Sequence, residues 1–398
     1  MCFFSNKKKI RRMEVVDVNA HLHTPYSFSA FDSVSQAAEM AAAQGVKVIG
    51  INDFYSMDGY AEWESAAREK RLYPLFNIEF ISLNSDDQAA GVRVNDPNNP
   101  GRTYLSGKGM SFPVTLSGEP AAQLAAVREE SNRQVAAMCD KVLSLFKELG
   151  AEAGFDFESI KRDLTKGSVR ERHLAKAIRL AVVRLFPEAE AQKAFYEKLF
   201  GGKALKSDIT AEAKVENEIR GNLLKAGGAA FVPEDPKAFL PMDTVRNIIL
   251  AGGGIPTYPF LADDAKGGFT DFEGDLEKAA ATLKARGFYS VEFITTRNSV
   301  EVLEKYCNYL WDNGFVVTLG SEHNTPAMEP IKLAARGGVD LTPRLKQLNY
   351  WGACITAAHQ ALTAKWSEGY LDPIGRPLLE YRDRFILMGD EIIKEAIK

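Results

Sequence analysis

The chain has 398 residues, 45% hydrophobic and 26% charged, enough for a large buried core in one big domain or two. A formal net charge of -4 and a pI near 5.9 exclude a global basic field that would draw the protein to nucleic acid or an anionic membrane, so no stable nucleic-acid complex is expected. No apolar run approaches the ~20 residues of a membrane span and no signal-peptide core opens the sequence, so a cytoplasmic protein is expected. The run KKKIRR, Lys7 to Arg12, reads as a solvated tail. Cys2, Cys139, Cys307 and Cys354 are scattered without a CxxC pair, which argues against a disulfide framework and a cysteine-type zinc site.

From residue 14 to 83 strand and helix alternate: VVDVNA, SVSQAAEMAAAQG, VKVIGIND, a helix near AEWESAAREKR, then LYPLFNIEFISL. Continuous apolar strands joined by amphipathic helices predict parallel strands buried on both faces, in a βα barrel or a doubly wound sheet. In either, ligands bind beyond the carboxyl ends of the strands. His21, His23, Asp53 and Glu79 all fall there. Alternation along a strand points His21 and His23 the same way, so that both imidazoles can grip one metal ion.

Residues 84–110 (NSDDQ, NDPNNPGR, SGKG) read as a long loop. Gly107-Lys108-Gly109 is not a phosphate loop, because Gly101 is spaced wrongly for G-x-x-x-x-G-K-[ST]; as a basic loop tip near a site, Lys108 is a candidate contact for an anionic substrate. From about 119 to 226 long helices without a convincing strand predict an inserted helical subdomain. Within it Arg170, Arg172 and His173 open a helix, with Ser168 as the expected N-cap. From 241 the βα rhythm resumes, and two strands end in acids, Glu292 and Glu322, the latter followed by His323. Gly252 to Gly254 precede a strand, so they serve as a helix C-cap and turn rather than a dinucleotide fingerprint. Residues 340–398 read as helices laid over the barrel, with His359 a structural histidine.

His21, His23, Asp53, Glu79, Glu322 and His323 form a mixed imidazole and carboxylate set, which suits Zn, Mn or Fe better than Ca or Mg. With these residues the chain resembles the polymerase and histidinol phosphatase (PHP) superfamily of metal-dependent phosphoesterases. The opening D-x-H-x-H-T-x-x-S stands here as NAHLHTPYS, with Asn19 in the leading place; T-D-H stands as Asn52-Asp53-Phe54, G-x-E as Asn77-Ile78-Glu79 and G-S-D-x-H as Gly320-Ser321-Glu322-His323-Asn324. RERHLAKAI, NLLKAGGAAFVPEDPKAF and RNIILAGGGIPTYP resemble the branch that hydrolyses nucleoside monophosphates and short oligonucleotides. The resemblance covers roughly residues 14–330. It implies an α/β fold, a distorted (βα)7 TIM-like barrel of PHP type. The expected organisation is a first barrel part over 14–110, the helical subdomain over 111–240, a second barrel part over 241–338 and a C-terminal helical extension over 339–398.

The resemblance also implies a site. A first metal would take His21, His23, Glu79 and Glu322, with His323 a further candidate ligand. A second would share Glu79 and add His173, but the other histidine of that site is Tyr258 here. Ligands of a third are replaced by Phe28 or Ser29, Phe54 and Asn324, and phenylalanines make the pocket drier. One or two divalent ions are therefore expected. Asp53 would orient or deprotonate a metal-bound water, Arg170 and Arg172 would clamp phosphate oxygens, and Lys108, Tyr258 and Asn324 would face a small phosphorylated or nucleotide-like substrate. Two other readings stay open: a binding protein that kept its metal but lost hydrolysis, and a metal-assisted hydrolase of an amide or ester bond.

Overall fold

The computed structural model describes residues 6, 9, 10, 12–325 and 327–398. Cys2, and Lys7, Lys8 and Arg11 of the basic run, lie outside them. The chain begins with β1 (Asp17–Leu22), α1 (Val34–Ala43), β2 (Val46–Phe54), α2 (Tyr60–Glu69) and β3 (Tyr73–Leu83). These strands are almost wholly buried, as apolar runs in a parallel sheet must be. The Ser33 side chain accepts the Gln36 amide and starts α1.

A short α3 (Ser85–Ala89) leads to β4 (Arg102–Lys108). This corrects the reading of 84–110 as a loop throughout. β4 runs antiparallel between β3 and the later β6, so both its edges are paired. Its polar sequence, RTYLSGK, hid it, because Ser106 and Lys108 are buried against other polar groups inside the barrel rather than facing water.

The helices α4 (Gly118–Glu148), α5 (Phe157–Leu164), α6 (Glu171–Leu185), α7 (Ala189–Leu199) and α8 (Glu212–Ile219) follow. They enclose a core of their own, including Phe146, Ile178, Tyr196 and Leu223. The 31 residues of α4 extend about 46 Å. Its early residues Leu124 and Val127 pack in the barrel core, whereas Val135 to Phe146 pack in the insertion. One helix thus belongs to both.

The barrel resumes with β5 (Leu240–Pro241), α9 (Met242–Ala251), β6 (Ile255–Phe260), α10 (Leu276–Ala285), β7 (Ser290–Ile294), α11 (Val300–Asp312) and β8 (Val316–Gly320). The order is β1-β2-β3-β4-β6-β7-β8, with β5 on β3. A parallel bridge from Leu22 to Glu322, with the His23 amide donating to the Glu322 carbonyl at 2.7 Å, nearly closes β8 onto β1. This is a TIM-like barrel with extra helices, one of the two arrangements that the βα rhythm allows and the one that the resemblance implies. Among the described residues no helix is long and apolar enough to cross a membrane.

α12 (Pro343–Thr363) and α13 (Arg382–Ala396) complete the chain. α12 seals the amino-terminal ends of the strands. Asn349 donates to the Val18 carbonyl and accepts from the Leu319 amide, and Gln360 does the same for Pro74 and Phe76. His359 serves structure: Nε2 donates to the Gly253 carbonyl and Nδ1 accepts from the Tyr370 amide. Gly352 allows the approach, since a Cβ there would lie 1.9 Å from the Val317 carbonyl oxygen. Gly352→Ala is expected to cost roughly 1–3 kcal/mol in chemical denaturation, because the helix must retreat from β8. A loss within about 0.5 kcal/mol, the range of an ordinary surface change, would show that the helix is not a rigid floor.

Candidate metal centre

β1 ends at Leu22, and His23 follows at once, so the two histidines leave the strand end on the same side. Their Nε2 atoms stand 3.3 Å apart. Glu79, within the long β3, brings Oε2 to 3.0 Å from His23 Nε2 and 3.6 Å from His21 Nε2. The three side chains are buried, and one donor atom of each lies within 4.8 Å of the others. Among the described residues Glu79 Oε2 has no hydrogen-bond partner. A buried carboxylate oxygen is rarely left so, and two imidazoles and a carboxylate are the donor set of a divalent transition metal. The residues fit such an ion. Burial alone would raise the Glu79 pKa, but the two imidazoles outweigh it and lower it to about 2.

Each histidine is held from behind. His23 Nδ1 is 3.2 Å from Ser27 Oγ, and that hydroxyl donates to Asp53 Oδ1 at 2.6 Å. The hydroxyl proton is thereby committed, so Nδ1–H of His23 donates to Ser27 and Nε2 keeps its lone pair for the donor cluster. Phe54 stacks on the His23 ring at 5.1 Å. His21 Nδ1 is 3.0 Å from Glu292 Oε2. Burial disfavours the His21 imidazolium, but Glu292 and Glu79 more than compensate and raise its pKa to about 9.

Several expected site residues lie elsewhere. Asp53 is not placed to act on water: its oxygens accept from the Thr24 amide and hydroxyl and from Ser27, so it organises the turn after β1. Glu322 faces the same cavity as the cluster, but its carboxylate pairs with Arg297 at 2.6 Å. β8 ends at Gly320, and Glu322 and His323 take left-handed backbone angles, φ 71° and 59°. Strand alternation therefore stops before them. His323 turns away, with Nδ1 2.9 Å from Ser321 Oγ, Nε2 2.8 Å from the Glu329 carbonyl and its ring stacked on Phe31. Both ring nitrogens are engaged, so it is not a metal ligand here. Tyr258 donates to Glu273 at 2.7 Å and packs with Phe260 and Phe272, away from the cavity. Asn324 lines the cavity. Lys108 is fully buried inside the barrel, not on a loop tip, with Nζ 2.5 Å from Glu292.

His173 is also redirected. Its Nδ1 accepts the Arg170 amide at 2.9 Å, so it caps its own helix, and Arg170 rather than Ser168 is the N-cap. Phe28 packs edge-on against it at 5.1 Å. Burial, with the Arg170 charge adding to it, lowers the His173 pKa to about 3. The unfolded chain takes up a proton near 6.5, so stability is full above that pH and is lost as pH falls toward 3. Between pH 7 and 5 this residue should remove about 2 kcal/mol. His173→Asn, which can still accept the Arg170 amide, should shrink the loss measured by urea denaturation at the two pH values. An unchanged difference would rule the titration out.

Above the cluster the barrel mouth and the insertion enclose a cavity of about 460 Å³. Most of its charges are paired: Arg102 with Glu234, Arg220 and Lys225 with Glu171, Arg297 with Glu322. Arg170 and Arg172 are different. Arg170 donates to Ser131 and lies over Phe54, and Arg172 donates to Asn217 and lies over Phe28. Burial and the nearby Arg220 lower the Arg172 pKa to about 10, so it stays a cation at neutral pH.

No family model matches the chain, and no curated protein does. Solved structures do match. A candidate metal-dependent phosphoesterase from Bifidobacterium adolescentis superposes with a TM-score of 0.54 at 14% identity, over 84% of this chain and 95% of that one. An amidohydrolase from Chromobacterium violaceum, solved with bound sulfate and no metal, gives 0.52 at 15%, over 84% and 96%. The likeness is one of fold.

Sequence reasoning passed over Glu292 and misplaced Lys108 as site residues. Glu292 was visible as the one acid in the apolar run YSVEFIT; it stands at the centre of β7 rather than at its end. Its partner Lys108 carried no such signal, because it sits in the strand that polar composition disguised.

Proposed function

We propose that the protein is a metal-dependent hydrolase of PHP type acting on a small phosphorylated or nucleotide-like substrate with one divalent ion. The observation that carries this is the buried oxygen of Glu79 between the two histidines, beneath a cavity lined by Arg170 and Arg172, which form no ion pair among the described residues. His21, His23 and Glu79 would hold a divalent ion, which when bound would supply Lewis-acid chemistry for hydrolysis. Arg170 and Arg172 hold the anionic group of the substrate by charge-assisted hydrogen bonds. Phe54 lies between Arg170 and His23, Phe28 lies under Arg172, and both line the cavity.

His173, His323 and Tyr258 are engaged elsewhere, which favours one ion over two. One ion also serves hydrolysis of an amide or ester, the second reading. Elemental analysis of the purified protein, followed by a screen of phosphomonoesters, dinucleotides and p-nitrophenyl esters with added Mn²⁺ or Zn²⁺, separates the cases. Turnover of phosphoesters is expected. Turnover confined to carboxylic esters selects the second reading, and a fully metallated protein without turnover would leave a binding protein.

A further inference from the structure

Behind the metal donors lies a polar cluster that the proposed reaction does not consume. Lys108, at the end of β4, directs its ammonium to acceptors on three other strands: Glu292 Oε2 of β7 at 2.5 Å, and the Ala20 carbonyl of β1 and Asn52 Oδ1 of β2, each at 3.2 Å. An ammonium has three donors, so it is fully satisfied. Glu292 is wholly buried; its Oε1 accepts from Ser106 Oγ at 2.5 Å, and its Oε2 faces His21 Nδ1 at 3.0 Å. His21 turns its other nitrogen toward His23 and Glu79. An imidazole whose Nδ1–H is taken by a carboxylate has one tautomer and one ring orientation, and presents Nε2 as the donor.

We propose that Glu292 and Lys108 are positioning residues for the metal: Glu292 takes Nδ1–H of His21 and aims Nε2 at the ion, and Lys108 anchors and neutralises Glu292 so that it stays a hydrogen-bond acceptor. This rests on the metal-centre reading above. A pair that only filled the barrel would behave differently. Buried ion pairs are commonly replaceable by apolar residues of similar volume without loss of stability. If filling were its role, such a replacement would leave metal affinity unchanged.

The test is a titration of Zn²⁺ and Mn²⁺ into wild type, His21→Ala, Glu292→Gln and the double variant Lys108→Met with Glu292→Leu. The double variant avoids stranding one buried charge. Its metal affinity should fall roughly 10–100-fold, the usual effect of losing a partner behind a metal-bound histidine. Glu292→Gln, which keeps an acceptor in place, should lose less than the double variant. In ¹⁵N spectra of the metal-loaded protein, whose 5 histidines can be resolved, the His21 proton should sit on Nδ1 in wild type and lose that fixed assignment in the double variant. A folded double variant binding within twofold of wild type overturns the proposal. Should that variant not fold, Glu292→Gln decides: a measurable fall in metal affinity with a shifted His21 ring signal supports the positioning role, and unaltered affinity with an unaltered ring signal overturns it. Wild type that binds no metal, or binds it as well after His21→Ala, instead overturns the metal-centre reading and the proposal with it.

Discussion

Replacing Glu79 by glutamine should empty the metal site while leaving the barrel folded. Glu79 contributes the carboxylate of the three-donor cluster, and its Oε2 lies 3.0 Å from His23 Nε2 and 3.6 Å from His21 Nε2. Glutamine has the same shape but no charge, and turns either a weaker carbonyl or an N–H toward the ion. Metal content should fall below roughly a tenth of wild type, and turnover by on the order of a thousandfold, equivalent to about 4 kcal/mol of transition-state stabilisation. Wild type should gain about 4 kcal/mol of stability at a thousandfold excess of metal over its Kd, and the variant almost none. Thermal denaturation with and without metal reads that difference whatever the stability of the metal-free forms. Stoichiometric metal in the variant would show that Glu79 is not a ligand.

The second large effect is expected at the cavity mouth. The double variant Arg170→Gln with Arg172→Gln should raise KM for a phosphorylated substrate roughly a hundred- to ten-thousandfold, taking about 1.5–3 kcal/mol for each charge-assisted hydrogen bond lost. Turnover at saturation should change much less, and a neutral ester should bind as before. Arg172→Gln is the cleaner single change, because Arg170 covers Phe54, which itself stacks on His23 of the cluster. A KM altered by less than threefold in the double variant would remove the anion-binding role. Metal content should be unaffected, which separates this outcome from damage to the cluster below.

The βα alternation was legible because its strands are continuous apolar runs and its helices carry a 3.6-residue period; both patterns are local and fit a barrel and a doubly wound sheet alike. The candidate donors His21, His23 and Glu79 were legible for the same reason, each standing at the end of such a run or within it. Strand β4 escaped because its buried side chains Ser106 and Lys108 are polar, and polarity reads as exposure until the facing groups are known. Glu322 and His323 show the limit of alternation: the rule holds only while the strand continues, and two left-handed residues turn one side chain to Arg297 and the other to Ser321.

By itself the sequence determined the βα alternation, the run of helices after β4 and the pair of histidines at the end of the first strand, because each depends on neighbours within a few residues. Only the tertiary structure decided the partners of the other candidates. Asp53 is spent on Thr24 and Ser27, His173 on its own helix, Tyr258 on Glu273, and Lys108 on three strands at once. A polar side chain becomes a ligand, a cap or a brace according to which acceptors and donors surround it when buried. In a barrel those come from strands up to 271 residues apart, as His21 and Glu292 are.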